Sequence, residues 1–122
     1  MYFSPNGPGG LTKFRSLAVT STDVSVKAAP GAIHAWNIVN LHSAAIYVKF
    51  YDALVANVTV GTTVPVATLQ VPANSSISHR PAMGGALPLW FTTGIAVAVV
   101  TGAADNNTTA AATLPIIELE YA

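Results

Sequence analysis

The sequence predicts an all-β fold: a single antiparallel β-sandwich of jelly-roll type over residues 16–122, behind an extended N-terminal arm of residues 1–15. Three observations point that way. Seven or eight short runs of strand-forming residues recur between Gly, Pro and Asn punctuation. Two of these runs, residues 45–52 and 115–121, alternate with the two-residue period of a strand. No convincing amphipathic helix interrupts them, and short strands without helices build sandwiches and jelly rolls.

Taken in order, residues 1–15 read as an arm. Pro5, Gly7, Pro8, Gly9 and Gly10 oppose regular structure, yet Tyr2, Phe3, Leu11 and Phe14 are awkward to leave in water. Disordered tails are usually poor in aromatics, so an arm with such anchors either lies along a neighbour or folds back on its own domain. Residues 16–20 and 24–28 are short strands on either side of Ser21-Thr22-Asp23, and Pro30-Gly31 is a turn. Residues 32–41 form a strand. In residues 45–52, Ile46, Val48 and Phe50 face one way, while Tyr47, Lys49 and Tyr51 face the other. Core on one side and amphipathic aromatics on the other suit a strand at a contact surface.

Residues 53–63 are a loop. Residues 64–71 are a strand whose Pro65 lacks an N–H, which places that end at a sheet edge or strand start. Pro72-Ala73-Asn74 turns the chain, residues 75–79 form a short polar strand, and residues 81–88 are a loop around Gly84-Gly85. Residues 89–91 and 94–101 follow as strands. The second is apolar on both faces and therefore central. Residues 103–113 are a loop of small and polar residues, because Asn106, Asn107, Thr108 and Thr109 prefer turns to helix. In the final strand Ile117, Leu119 and Tyr121 point inward and Ile116, Glu118 and Glu120 outward.

Composition narrows the function. The chain is 52% hydrophobic and only 8% charged, with five cationic residues balanced by five acidic ones. Soluble domains carry about a quarter charged residues, and a surface near zero net charge favours association. A subunit that hides part of its surface in an assembly is expected. Without a basic cluster, nucleic acid is not expected as a partner. No run approaches the roughly 20 apolar residues of a membrane helix, and the N-terminus shows no secretory signal pattern. No cysteine is present for a disulfide or a thiolate metal site.

The reactive side chains are better read as structural. His34 and His42 sit eight apart on one strand, roughly 26 Å at 3.3 Å per residue, too far to share an ion. His79 has Arg80 beside it, so no metal and no cofactor is expected. Glu118 and Glu120 share a face about 7 Å apart, near the spacing of a glycosidase pair, but without an apolar pocket to raise one pKa. No G-x-S-x-G and no phosphate loop is present, so an enzyme is not expected. Trp36, Phe50, Trp90 and Phe91 are expected in the core. Tyr47 and Tyr51 are expected on a contact face, against another subunit rather than a sugar.

Three segments carry a resemblance: NIVNLHSAAIYVKFYD (37–52), VGTTVPVATLQVPAN (60–74) and FTTGIAVAVVTGAADNNTTA (91–110). In their order and in their Gly-Thr-Thr-x-Pro-Val and Thr-Gly-Ala-Ala-Asp turns, they are similar to small tailed-bacteriophage virion structural proteins of the capsid decoration, or cement, type. The resemblance implies a non-enzymatic structural protein on the capsid exterior of the virion, synthesised in the bacterial host cytoplasm. The major capsid protein would be its partner and a homotrimer its form. Partner contacts are expected from Tyr2, Phe3, Leu11 and Phe14 of the arm and from Tyr47 and Tyr51. The alternatives are a tail, neck or head-fibre component, or a carbohydrate-binding module using Tyr47, Tyr51 or Trp90.

Overall fold

The computed structural model describes residues 11–79 and 88–122, which hold nine strands in two antiparallel sheets. They are β1 (Thr12–Ser16), β2 (Val24–Lys27), β3 (Gly31–Val39), β4 (Ile46–Tyr51), β5 (Ala67–Val71), β6 (Ser76–His79), β7 (Leu89–Phe91), β8 (Ile95–Val100) and β9 (Ile116–Tyr121). One sheet has the order β1-β9-β3-β6, and β7 pairs with β3 as well; the other has the order β2-β8-β4-β5. Both β6 and β7 run antiparallel to β3, β6 along Trp36–Val39 and β7 along Gly31–Ile33, so together they make one interrupted edge strand. The chain crosses between sheets at every connection except β4–β5 and β6–β7. Counting β6 and β7 as one, this is an eight-stranded jelly-roll order, as the sequence predicts.

Alternation decides what each strand buries. β8 is apolar on both faces, all six of its residues are buried, and it lies between β2 and β4. Its Ile95, Val97 and Val99 join Ile33, Ile38, Phe50, Phe91, Ile117 and Leu119 in the core between the sheets. Phe50 of one sheet meets Phe91 of the other edge-to-face, with centroids 6.5 Å apart, an arrangement aromatic quadrupoles favour. In β9, Ile117 and Leu119 point inward and Glu118 and Glu120 outward.

The first strand begins earlier in the chain than the sequence suggests, while β5 begins later, at Ala67 rather than at residue 64. Residues 12–15, expected within the arm, belong to β1 and pair with β9 from Thr12↔Tyr121 to Ser16↔Ile117. Phe14 packs against the core opposite Leu119, which gives this segment a reason to join the sheet. The strand expected at residues 16–20 does not form. There the Ala18 amide donates to Ser16 Oγ and the Thr22 amide to Thr20 Oγ1, local bonds that compete with a ladder. Asn40, 1% exposed, ties the β3–β4 loop to the end of β5. Its Nδ2 donates to the carbonyls of Ala44, Val71 and Pro72, and its Oδ1 accepts from the His42 amide. Among the described residues no helix is long and apolar enough to cross a membrane.

Candidate interaction surface

Over β4 and β8, the outer face of the β2-β8-β4-β5 sheet is covered by the chain's own loops. Residues 53–66 reach over it from one end of the sandwich and residues 101–115 from the other. They meet at Gly61, whose φ is +92° and where any Cβ would collide with the Thr108 side chain. Beneath them Tyr51, Val58, Ala96 and Ala98 form a second small core, flanked by Ala53 and Val60. Lys49 is fully buried there, and its Nζ donates to the Ala104 carbonyl of the second loop. Tyr51, expected on a contact face, is also fully buried, and its hydroxyl has no hydrogen-bond partner. Burial, and then the charges of Asp23 and Asp105, push its pKa above the ordinary tyrosine value. Of the two tyrosines expected on this contact face, only Tyr47 stays partly exposed.

The opposite sheet presents an open face. Strand pairing sets Arg15, Glu118, Asn37 and Ser78 in one row across β1, β9, β3 and β6, with Lys13, Glu120 and Ala35 in the next. Four of the chain's ten charged residues therefore share this face. Arg15 Nε lies 3.4 Å from Glu118 Oε2, and Asn37 Nδ2 donates to Glu118 Oε1 at 2.9 Å. The paired glutamates thus sit among polar partners in the open. Together the rows floor a shallow groove of about 390 Å³. At its border, Trp36 and His79 stack with ring centroids 4.6 Å apart.

Trp90 stands on the same outer side. It pairs with Ala32 on β3 while its neighbours Leu89 and Phe91 pack into the core. Expected in the core, it is 64% exposed. The reason was present in the sequence: adjacent residues on a strand face opposite ways, so Trp90 and Phe91 could not both be inside. Further exposed apolar side chains are Leu17 and Leu41 on connections, and Leu54, Val55, Val64 and Val66 before β5.

The residues expected to bind a partner do not gather into one surface. Tyr2 and Phe3 lie outside the described residues. Leu11 is partly exposed just before β1, Phe14 packs on the core, and Tyr47 belongs to the other sheet. The histidines are dispersed, His34 in β3, His42 in the β3–β4 loop and His79 ending β6. Among the described residues no three His, Cys, Asp or Glu side chains are grouped to hold a metal.

The most heavily engaged carboxylate is structural. Asp52, just past β4, accepts from the amides of Thr92, Thr93 and Gly94 and from the Thr92 hydroxyl, clamping the β7–β8 turn. Desolvation raises its pKa, but these hydrogen bonds together outweigh it and hold the carboxyl below its ordinary value. Compared with protein-family models, curated proteins and solved structures, the chain matches none.

Proposed function

We propose that this chain is a structural subunit of a tailed-bacteriophage particle, a capsid decoration (cement) protein that binds the outer surface of the major capsid protein lattice. The observation that carries the reading is Trp90, an indole left 64% exposed on an open, shallow sheet face. Trp and Arg are among the residues that most often anchor protein interfaces, and this sheet carries Trp90 on β7 and Arg15 at the groove. The low charge of the whole chain supports the same conclusion. So does the resemblance, whose three segments contain β4, β5 and β8 and parts of the two loops that cover them. Cementing would work by mass action: a subunit that binds only the assembled shell stabilises it, and repetition over many sites multiplies a modest contact.

The test is stoichiometry. In purified particles this polypeptide should approach the copy number of the shell protein. Copies in the tens or fewer would move it to a tail, neck or head-fibre position, and its absence from the particle would end the reading. Trp90 also favours a second reading, a carbohydrate-binding module, because an exposed indole stacks on sugar rings. A glycan array without hits removes that one.

A further inference from the structure

The two sheets have four edges, and three of them resist pairing with another strand. β1 carries Lys13 and Arg15, both exposed. β2 is four residues long, ends in Lys27 and is broken by a register shift between Ser25 and Lys27. The β6/β7 edge pairs with β3 in two short runs of different register, along Trp36–Val39 and along Gly31–Ile33. Charge, bulges and interruption are the devices by which natural sheets blunt their edges. β5 has none of them.

Its sequence, Ala-Thr-Leu-Gln-Val, is uncharged, as is the whole stretch of residues 53–79 around it. β5 pairs with β4 alone, and no described backbone hydrogen bond beyond that ladder involves residues 67–70. Leu69 points toward the core yet remains partly exposed, while Val48, opposite it on β4, is fully buried. No described strand lies beyond β5. Val64 at 69% and Val66 at 50% exposure extend the open edge.

We infer that β5 is the pairing edge for a second copy of this chain, joined antiparallel about a two-fold axis through Leu69. The occupant follows from the register. Around Leu69, Thr68 falls opposite the second copy's Gln70 and Ala67 opposite its Val71, so no charges meet. Polar side chains lie on one face and apolar ones continue the core face. The same operation on β1, centred on Phe14, would set Lys13 against Arg15, and like charges directly opposite are destabilising. Pro65 and Pro72 bracket β5 and confine the new ladder to the six residues between them. The product is one continuous sheet of eight strands through both copies, closed by its two-fold axis. A closed pair differs from the homotrimer that the resemblance implies, and it holds whether or not the chain decorates a capsid.

Sedimentation velocity on the full chain over a wide concentration range tests this without any particle present. Two double variants on the exposed face of β5 complete the test. T68E/Q70E sets glutamates against glutamates across the axis, and T68E/Q70K sets glutamate against lysine. The wild-type chain should shift from monomer to dimer as concentration rises, T68E/Q70E should stay monomeric, and T68E/Q70K should dimerise at or below the wild-type concentration. A wild-type chain that stays monomeric, a trimer, or a dimer equally populated in T68E/Q70E would overturn the inference.

Discussion

Asp52 gathers three backbone amides and a hydroxyl onto one carboxylate, and so joins the end of β4 to the turn between β7 and β8. Because its folded pKa lies below that of the unfolded chain, it stabilises the fold at pH values above the ordinary carboxylate range. That contribution disappears as pH falls through the lowered value. Asp52→Ala should cost about 1 kcal/mol at neutral pH, the modest end for hydrogen bonds to a charged group near solvent, and should flatten the acid limb of a thermal-denaturation series. Tyr51 works in the opposite direction. Its buried hydroxyl has no partner, so Tyr51→Phe should stabilise the protein by about 1 kcal/mol in denaturant titration. A loss of stability would mean that the hydroxyl is bonded. With its pKa raised in the fold, Tyr51 makes stability fall as pH climbs past about 10, where an unfolded tyrosine ionises. The phenylalanine variant should lack its share of that alkaline decline.

Among the elements, β1 alters what truncation is expected to do. Removing residues 1–10 leaves β1 whole. Removing residues 1–15 takes Phe14 from the core and strips β9 of its outer neighbour. The shorter deletion keeps every pairing of β1 with β9. The longer one should lose at least the roughly 2–3 kcal/mol of burying one phenylalanine, measured by chemical unfolding. The strand pattern itself was legible in the sequence. Unbroken apolarity marked β8 as central, Pro65 placed its end of the strand at a sheet edge or strand start and precedes the edge strand β5, and the alternation of β9 sorted its faces correctly. Which face met solvent was not legible for β4, because alternation reports which residues share a side and not what covers that side. The cover comes from loops distant in sequence, and their only local signal was the apolar pair Val58 and Val60 within a stretch otherwise read as loop.

At the scale of the whole molecule, low charge predicted concealment, and part of that concealment turns out to be internal: two loops hide one sheet face while the other stays open. Composition could not distinguish these, since a buried Lys49 and an exposed Lys13 count alike. The pairing of β1 with β9 also has a consequence for synthesis. Thr12 finds its partner in Tyr121, across nearly the full length of the sequence, and such distant contacts make folding slow. On the ribosome β4 and β5 can zip as a hairpin and accept β8 soon after it emerges. β1, made before the other eight strands, must wait with Phe14 uncovered until β9 has been translated, so the first of these strands to leave the exit tunnel is among the last to settle.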